Sequence, residues 1–563
     1  MRAIEIKDVS YAYQDMHYNA LNRMNLDVHN GELVVLMGKS GAGKSTLCRL
    51  LNALIPKFYK GRLYGTVEVF NELTFEKEVF ELAKDIGMVF QNFESQLFST
   101  NVELECAFAQ ENFGVQRNEI ADSIKESLFK VGLTGFEKRN PSTLSGGEKQ
   151  RLAIASVLAM KPKILVMDEP TTDLDPLGKS EIFAICALLK EEGVTLVLVE
   201  HEIEVAGYAD KIILMDQGEM VLEGKPDEVL RKIKLLEKCG IRPPQIPRLF
   251  QELQFKKKLP LTYQEAYQIF LHEDWQIPEG RYNVLKWQNT KRMEKYQDSV
   301  IEIADLEYFY PDGNKVLNGI DLTIRQGEFV AILGQNGSGK TTLIKHFNGL
   351  LKPTKGNILI SGVNTRRRKV SDLAKEVGFV FQNPDCQIFA ETVFDEVAFG
   401  PRNLLEVEEK EISKRVYDAL GAVQLNIYGN EDPFALTKGE KQKLAVASVL
   451  ACIPKILILD EPTTGLDYHE IISIMNLLVE LNNRGHTIII VTHSMWVAAE
   501  YAQRIVVLDK GKIILDGTPR MVLKEEDTLK KSHLLVPEIV SLSNMLSDMT
   551  LLSVEEFKFC LLD

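Results

Sequence analysis

The chain carries one long pattern twice, and this repetition restricts the folds open to it more than any other feature. The glycine-rich stretch GKSGAGKS at Gly38–Ser45 returns as GQNGSGKT at Gly334–Thr341, with the two lysines 296 positions apart. LVMDEPTTDLD at Leu165–Asp175 returns as LILDEPTTGLD at Leu457–Asp467, 292 positions further on. Self-similarity at a nearly fixed spacing indicates duplicated structural units. The sequence therefore predicts two homologous domains.

The repeated motifs divide the 563-residue chain into four predicted segments. A chain of this length exceeds what one hydrophobic core supports, so we expect one domain at residues 1–229 and another at 299–525. Residues 230–298 separate them, and residues 526–563 form a tail. Each of these segments contains proline flanked by leucine, in CGIRPPQIPRL and LLVPEIVSL. This predicts a small helical appendage after each domain, with Asp274–Asp298 as a plain linker.

Each copy has the pattern of an α/β domain. Short β-branched runs bounded by glycine alternate with helical patterns, which predicts a mainly parallel sheet with flanking helices. Val34–Met37 and Val330–Leu333 are the strands expected before the glycine-rich loops. Ile164–Met167 and Ile456–Leu459 are apolar throughout, as in strands that are buried on both faces of a sheet.

The motif GxxxxGK[ST] has a defined chemistry. Its glycines let backbone N–H groups surround a phosphate, its lysine neutralises phosphate charge, and its hydroxyl residue binds Mg²⁺. Lys44 with Ser45 and Lys340 with Thr341 occupy these positions. The sequence therefore predicts two P-loop NTPase domains. The loop residues expected to bind the nucleotide are Gly38, Ser40, Gly41, Gly43, Lys44, Ser45, Thr46, Gly334, Asn336, Gly337, Gly339, Lys340, Thr341 and Thr342.

Two adjacent carboxylates end the apolar strand in each copy. Asp168 and Asp460 are placed where a carboxylate can complete a Mg²⁺ shell through water. Glu169 and Glu461 follow immediately and point the other way along the strand, towards the γ-phosphate. The pairs therefore predict a metal site and a second carboxylate that is directed at the phosphate.

A second glycine motif, LSGGEKQ at Leu144–Gln150, comes before an apolar helix-like run. A serine and two glycines at the start of a helix make an anion-binding surface that does not enclose its ligand. Such a surface suits the γ-phosphate of ATP held by another domain. At this point the chain resembles the ATP-binding-cassette (ABC) ATPases, whose signature is LSGGQ. The resemblance implies ATP and Mg²⁺ as cofactors, an antiparallel β subdomain near each N-terminus, and helical insertions around 100–145 and 393–436.

The resemblance also implies roles for further residues. Glu169 and Glu461 match the glutamates that polarise the attacking water, and a general base of this kind contributes about 10²–10⁴-fold to rate. The implied catalytic set is Glu169, Glu461, His201 and His493, where the histidines match the switch histidines that bond the γ-phosphate. The implied metal ligands are Ser45, Gln91, Asp168, Thr341, Gln382 and Asp460. The implied further nucleotide contacts are Tyr13, Gln91, Ser145, Gly146, Gly147, Asp175, Tyr310, Gln382, Thr437, Gly439 and Asp467, with Tyr11 and Tyr308 as adjacent candidates for stacking on adenine.

The two copies differ in their signature motifs. The second reads LTKGEKQ, with Thr437 for Ser145 and Lys438 for Gly146. Lysine adds a Cβ and a cationic chain where backbone should approach phosphate closely. In ABC ATPases each ATP lies between the P-loop of one cassette and the signature of another, and here the cassettes would pair within the chain or between two chains. Our hypothesis is that the ATP site facing the altered signature, built on the first P-loop, hydrolyses more slowly.

Gln91 and Gln382 match the glutamine of the family's Q-loop. The sequence after Gln382, in the second Q-loop, indicates a class of transporter. It reads NPDCQIF at Asn383–Phe389 and TVFDEVAFG at Thr392–Gly400, which closely resembles the pattern QNPDxQxF…TVxxDVAFG of energy-coupling-factor (ECF) transporter ATPases. The first copy keeps QLF at Gln96–Phe98. The resemblance implies a motor for vitamin or transition-metal uptake. A membrane T-component would bind in grooves near Phe93–Phe98 and Pro384–Phe389, and a substrate-binding S-component would be engaged indirectly and choose the substrate.

Two other functions stay open, namely the fused ATPase of a conventional sugar importer and a soluble tandem ABC ATPase acting on ribosomes or DNA. The net charge of −14 disfavours a broad nucleic-acid face, so no nucleic-acid partner is expected. The seven cysteines lack CxxC spacing, as suits a reducing cytosol without a zinc site. The N-terminus lacks a signal-peptide pattern, and the apolar runs are strand-sized. We therefore expect a peripheral protein at the cytoplasmic face of the cell membrane.

Overall fold

The computed structural model describes residues 1–14, 16–172, 174–293 and 298–562. Contacts divide the chain into two compact units. One comprises Met1–Pro247 with Asp467–His469, and the other comprises Arg248–Leu466 with Glu470–Asp563. Each unit contains one P-loop and one signature motif.

The first cassette contains two sheets. Its strands are β1 (Arg2–Tyr13), β2 (Leu21–His29), β3 (Leu33–Met37), β4 (Gly61–Val69), β5 (Glu72–Leu73), β6 (Ile86–Val89), β7 (Ile164–Asp168), β8 (Thr195–Val199), β9 (Lys211–Asp216) and β10 (Glu219–Gly224). An antiparallel sheet has the order β2-β1-β4-β5, and a six-stranded sheet has the order β10-β9-β3-β8-β7-β6. In the larger sheet β9, β3, β8, β7 and β6 run parallel and β10 is an antiparallel edge strand.

The helices of the first unit surround these sheets and continue past the cassette. They are α1 (Lys44–Leu51), α2 (Leu54–Lys57), α3 (Val79–Leu82), α4 (Val102–Asn112), α5 (Arg117–Lys130), α6 (Gly146–Leu158), α7 (Pro176–Glu191), α8 (Ile203–Ala206), α9 (Pro226–Val229) and α10 (Ile233–Lys238). α4 and α5 pack on α6 and on each other. They confirm the helical insertion that the family resemblance implied around residues 100–145.

The second cassette repeats this plan. Its strands are β11 (Ser299–Phe309), β12 (Lys315–Arg325), β13 (Phe329–Leu333), β14 (Lys355–Ile360), β15 (Val363–Asn364), β16 (Val377–Val380), β17 (Ile456–Asp460), β18 (Thr487–Val491), β19 (Arg504–Asp509) and β20 (Lys512–Gly517). The sheet orders are β12-β11-β14-β15 and β16-β17-β18-β13-β19-β20. Its helices are α14 (Lys340–Phe347), α15 (Val370–Leu373), α16 (Val393–Leu404), α17 (Glu409–Ala422), α18 (Lys438–Leu450), α19 (Tyr468–Asn483) and α20 (Met495–Tyr501).

The sequence patterns explain these elements. The apolar runs β3, β7 and β8 are buried at every residue, as in parallel strands covered on both faces. β1 instead alternates between buried and exposed residues over much of its length, because one face of the antiparallel sheet packs on the core and the other meets solvent. Both cassettes confirm the predicted α/β class, with an antiparallel subdomain and a helical subdomain. Among the described residues, no helix combines the length and apolar character needed to cross a membrane.

The segments after the two cassettes are helical. They contain α11 (Gln245–Glu252), α12 (Tyr263–His272) and α13 (Glu279–Met293) after the first cassette, and α21 (Pro519–Lys524), α22 (Glu526–Lys531), α23 (Glu538–Leu546) and α24 (Val554–Leu561) after the second. The expectation of a plain linker over Asp274–Asp298 is wrong where α13 forms, and residues 294–297 of that stretch lie outside the described residues. The domain boundaries at residues 229, 298 and 525 stay predictions.

In the second unit, the helices between the cassettes pack against those at the C-terminal end of the chain. α12 contacts α23, and α13 contacts α24. The ring of Phe270 lies 6.2 Å from that of Phe557 and 5.3 Å from that of Trp275. Arg281 donates to the carbonyl of Phe559. These two helical segments, far apart in sequence, therefore share one hydrophobic core.

This shared core predicts a large effect of Phe557→Ala. Phe557 is fully buried, so we expect the free energy of unfolding of the helical core to fall by about 3–5 kcal/mol. Urea unfolding followed by tryptophan fluorescence measures this locally, because two of the three tryptophans, Trp275 and Trp287, lie in these segments. Phe129→Ala is the matched control, since Phe129 is 76% exposed. Equal losses for the two variants would contradict the shared core.

Candidate active site

The P-loops are shaped by glycines at the start of α1 and α14. Gly43 has φ 97° and Gly339 has φ 103°, in the left-handed region. A Cβ on Gly43 would lie 2.6 Å from the carbonyl oxygen of Ala20, so no other residue fits there without movement. The helices then begin at Lys44 and Lys340 with their N–H groups directed into the loop, which makes each loop an anion site.

Each P-loop lysine is held inside its loop by backbone carbonyls. The Nζ atom of Lys44 donates to the carbonyls of Gly38 at 2.7 Å and Lys39 at 2.9 Å. Lys340 makes the equivalent bonds at 2.8 Å. Burial lowers the pKa of Lys44, and the nearby charges of Glu169 and Asp168 oppose this effect. The arrangement places one cation inside each phosphate-binding loop.

A hydroxyl and a carboxylate meet at the first helical turn of each cassette. Thr341 Oγ1 donates to Asp460 Oδ2 at 2.9 Å, and Ser45 bonds to Asp168 in the same way. The Oδ1 atoms of both aspartates are buried and, among the described residues, have no hydrogen-bond partner. Burial raises the pKa of Asp460 to about 6. The hydroxyl and the carboxylate are hard oxygen ligands, and the buried Oδ1 atom can accept a further partner. Such a site fits Mg²⁺.

In the first cassette, the predicted catalytic glutamate bonds to two predicted partners. Glu169 Oε1 lies 3.0 Å from His201 Nε2, and Gln91 Nε2 donates to Glu169 Oε2 at 2.7 Å. Burial raises the pKa of Glu169, but the hydrogen bond and charge of His201, with Lys44 and Gln91, lower it to about 2. The carboxylate is therefore ionised at neutral pH, as a group that orients and polarises water must be.

The second cassette brings together the equivalent pair in a different geometry. Glu461 Oε2 lies 3.1 Å from His493 Nδ1 and accepts the backbone N–H of His493 at 3.3 Å. Burial raises the pKa of Glu461, but the charge and hydrogen bonds of His493, with the charge of Lys340, lower it overall. Gln382 is exposed at the start of its loop. Both cassettes thus hold an ionised glutamate next to the predicted switch histidine.

Sequence reasoning missed the backbone geometry of the two glutamates. Glu169 has φ 51° and Glu461 has φ 48°, left-handed values that are uncommon outside glycine. Each backbone N–H still bonds to the neighbouring strand, at the carbonyl of Val199 or Val491. The sharp turn after β7 and β17 directs the glutamate away from the preceding aspartate. Local strain of this kind is typical of functional sites, but no residue type in the motif signals it.

A second missed residue is Glu200, which precedes His201. It is buried and accepts hydrogen bonds from the N–H and Oγ1 of Thr171, at 3.1 Å and 2.8 Å. Burial, followed by the charge of Glu202, raises the pKa of Glu200 to about 8. The second cassette has Thr492 at this position. The sequence signal that could have identified Glu200 is a glutamate at the end of an apolar strand.

The two tyrosines predicted to stack on adenine lie beside the P-loop helices. The Tyr13 hydroxyl is 3.1 Å from Thr46 Oγ1, and the Tyr310 hydroxyl is 3.1 Å from Thr342 Oγ1. Tyr11 is fully buried in the core, where its hydroxyl donates to the carbonyl of Tyr59. The stacking role of Tyr13 and Tyr310 stays a prediction.

The signature residues start helices in both cassettes. Ser145 caps α6 and Thr437 caps α18, each in a capping box with the glutamate three residues later. The glutamate fills the same capping position that the family's glutamine could fill. Gly146 and Lys438 are exposed at the first helical position. A Cβ on Gly439 would lie 2.2 Å from Glu470 Oε1, so the Glu470 side chain would have to move to admit it.

The remaining predicted residues lie in these same loops and turns. Asp175 caps α7 by accepting the N–H of Gly178 at 2.9 Å, and Asp467 directly precedes α19. Gly147 lies in the first turn of α6. The remaining P-loop residues are Gly38, Ser40, Gly41, Gly334, Asn336 and Gly337. Within each cassette the structure therefore gathers the P-loop, the carboxylate pair and the histidine, while the signature lies at the start of a separate helix.

Comparison with known proteins decides the family. The family model described as ABC transporter matches residues 21–172 and 317–464, more than half of the chain. The chain belongs to the ABC transporter family. Both cassettes are therefore ABC ATPase domains, a family that binds ATP and Mg²⁺ and hydrolyses ATP.

Two relatives match this chain over nearly its whole length, and a solved structure matches part of it. A protein of Caldanaerobacter subterraneus named as an ABC transporter ATP-binding protein is 52% identical over 99% of each chain. A protein of Methanosarcina mazei with a similar name is 40% identical over 95% of this chain and 92% of its own. A solved structure of CbiO1 from Clostridium perfringens, part of the ABC transporter complex CbiONQ, is 40% identical over 43% of this chain and 98% of that chain, with a TM-score of 0.39.

The raised pKa of Glu200 predicts how stability depends on pH. Because its folded pKa of about 8 exceeds that of an unfolded glutamate, ionising it opposes folding. The penalty is absent below about pH 4, grows between about pH 4 and 8, and is complete above that range. Relative to the wild type, Glu200→Gln should gain about 1.4 kcal/mol of unfolding free energy per pH unit across this window.

Urea unfolding of both proteins at several pH values measures this difference. The exposed Glu191→Gln, on α7, is the control and should show no such slope. A difference between Glu200→Gln and the wild type that does not change with pH would refute the prediction.

Proposed function

We propose that this chain is the ATP-hydrolysing energy-coupling subunit of an ECF-type importer for vitamin or transition-metal uptake, peripheral to the cytoplasmic face of the membrane. Its two cassettes would pair, within the chain or between two chains, and drive a membrane T-component that acts on a substrate-binding S-component. The observation that carries the proposal is an exposed aromatic pair beside the Q-loop of each cassette.

These two aromatic pairs have the same geometry. The rings of Phe98 and Phe108 are 4.5 Å apart and edge-to-face, and those of Phe389 and Phe399 are 4.7 Å apart and edge-to-face. Each of the four side chains is between 47% and 63% exposed. Clustered exposed aromatics are typical of protein interfaces, and a groove of this kind suits an amphipathic helix. A coupling helix of a T-component is the partner we infer.

The polar residues of the ECF-like pattern hold this surface in place. Gln387 Oε1 accepts the N–H of Phe381 at 3.3 Å, which fixes the Q-loop. Glu396 is buried, and its Oε2 accepts the N–H groups of Phe389 and Ala390, each at 2.9 Å. Gln96 and Glu105 make the equivalent bonds in the first cassette. The glutamine and glutamate of the pattern therefore hold the loop in place, with its phenylalanine exposed.

Ion pairs connect this surface to the signature helices. Lys441, in α18, lies 2.8 Å from Asp385, and Lys149, in α6, lies 2.6 Å from Glu94. In the first cassette the Q-loop also bonds to the catalytic glutamate through Gln91. Movement of a partner helix on the aromatic pair would therefore displace both the signature and the group that orients water.

The chemistry we propose is the hydrolysis of the γ-phosphate. Ser45 with Asp168, and Thr341 with Asp460, would hold Mg²⁺, which neutralises phosphate charge when bound. Lys44 and Lys340 neutralise the β- and γ-phosphates. Glu169 and Glu461 orient a water whose oxygen bonds to the γ-phosphorus as the bond to the ADP oxygen breaks, and the water proton passes to the carboxylate or the released phosphate. His201 and His493 hold the glutamates and face the leaving phosphate.

Co-purification tests the partner. The wild-type chain, captured by an affinity tag from detergent-solubilised membranes of its source cells, should retain polytopic membrane proteins identified by mass spectrometry. Phe98→Ala with Phe389→Ala should reduce that recovery at least about tenfold, because both anchors are lost. ATPase activity of the isolated chain should stay within about twofold, because neither residue touches the nucleotide.

Phe129→Ala is the matched control, since Phe129 is exposed but lies on α5 away from the Q-loop. Recovery of ribosomes, or of no membrane protein with the wild-type chain, would rule out the importer.

The altered second signature predicts unequal ATP sites. Lys438 places an exposed cationic chain where the first signature has Gly146. If the cassettes pair as in other ABC ATPases, the site that uses Glu461 would face the unaltered signature, so Glu461→Gln should remove most of the ATPase rate and Glu169→Gln a smaller part. Single-turnover hydrolysis measures both variants. Lys438→Gly should raise the residual activity of the Glu461→Gln variant, and equal losses from the two glutamine variants would argue against the asymmetry.

A further inference from the structure

The turn that follows α10 lies directly against the first P-loop. Gly240 has φ 71°, and the turn is closed by bonds from Gly240 N–H to the Glu237 carbonyl at 2.9 Å and from Ile241 N–H to the Leu236 carbonyl at 3.0 Å. A Cβ on Gly240 would lie 2.7 Å from Lys39 Cβ and 3.2 Å from Lys39 Cα. Any other residue would therefore push on the P-loop.

Lys39 determines the position of the phosphate-binding lysine. Its carbonyl accepts hydrogen bonds from Lys44 Nζ at 2.9 Å and from the N–H of Ala42 at 3.1 Å. Its own Nζ pairs with Asp216 Oδ1 at 2.7 Å. Lys39 is thus held through its side chain by the end of β9 and through its Cα and Cβ by Gly240. A shift of Lys39 would move the carbonyl that orients Lys44.

The second cassette shows that the turn itself does not require glycine. The corresponding turn, after α22, has the same pair of bonds, from His533 N–H to the Lys530 carbonyl and from Leu534 N–H to the Leu529 carbonyl. His533 occupies the position of Gly240 with φ 51°, and it is exposed. A left-handed non-glycine residue is therefore tolerated in this turn. The glycine in the first copy is explained by the approach of Lys39 rather than by the turn.

We propose that Gly240 is a positioning residue for the first ATP site. The helical extension after the first cassette acts as a rigid support that presses on Lys39 and so fixes the Lys44 ammonium for the phosphates of ATP. This inference rests on the proposed function in one respect, that Lys44 binds nucleotide. It makes the extension part of the first site, whereas the second cassette places an exposed histidine at the same turn.

The test measures ATP affinity one site at a time in the full chain. Lys340→Met silences the second P-loop, and calorimetric titration with a non-hydrolysable ATP analogue and Mg²⁺ then reports on the first. In this background Gly240→Ala and Gly240→His should weaken binding about tenfold or more, because small displacements of positioning groups have effects of this size. The matched control is His533→Ala with Lys44→Met, whose second-site affinity should change less than about twofold.

A rescue variant separates the contact from turn strain. Alanine in a left-handed conformation lowers stability whatever it touches. Lys39→Gly removes the Cβ that the new side chain would meet and leaves that strain in place. In the Lys39→Gly background, Gly240→Ala should therefore change the affinity less than about twofold, although the melting temperature still falls. Gly240→Asn, which tolerates the left-handed region, supplies the same clash with less strain.

The possible outcomes are distinct. Unchanged affinity for Gly240→Ala and Gly240→Asn in the Lys340→Met background overturns the inference. So does an equal loss with and without Lys39→Gly. Failure of the Lys340→Met chain with Gly240 intact to bind the ATP analogue would instead overturn the role of Lys44, and with it the proposed function.

Discussion

The parallel pairing of buried strands is the constraint on which the site depends. In the first cassette β3 pairs with β8, β8 with β7, and β7 with β6, all in the same direction. Parallel strands end at one edge of a sheet, and ligands bind beyond the carboxyl ends of such strands. The P-loop follows β3, the carboxylate pair ends β7, His201 follows β8, and Gln91 follows β6. One edge therefore receives the P-loop, the carboxylate pair, the histidine and the glutamine, and the second cassette repeats the arrangement.

Burial at that edge of the sheet shifts the pKa values of the polar groups. Desolvation raises the pKa of Asp168 and Asp460 and lowers that of Lys44. At Glu169 and Glu461 the neighbouring histidine, together with the P-loop lysine, more than offsets the effect of burial on the pKa. Buried charges must be paired or must bind ions. The aspartates and lysines thus favour an anionic ligand with a divalent cation, and the glutamates stay ionised. These opposite pKa shifts within a few residues agree with the separate metal-binding and water-orienting roles that we propose.

The two cassettes share the motifs at this edge of the parallel sheet and differ in residues around it. Glu169 and Glu461 share a left-handed backbone, and the exposed aromatic pairs share their ring geometry. The two copies differ at three pairs of corresponding positions outside these shared features: Glu200 and Thr492, Gly146 and Lys438, and Gly240 and His533. None of these positions belongs to a P-loop, to a carboxylate pair or to the predicted switch histidines. They can therefore change the properties of one site without removing its chemistry.

The sequence by itself determined the fold class, the duplication and the residues of the P-loops, because those motifs are short and their chemistry is local. It identified Glu169 with His201 and Glu461 with His493 only through their family positions, and it misjudged Asp274–Asp298, where helix-forming residues gain their stability from packing. Only the tertiary structure decided which atoms of the histidines meet the glutamates, why Glu200 holds its proton, and how Gly240 meets Lys39 about two hundred positions away. These features depend on distances and burial between residues far apart in the chain, which no local pattern encodes.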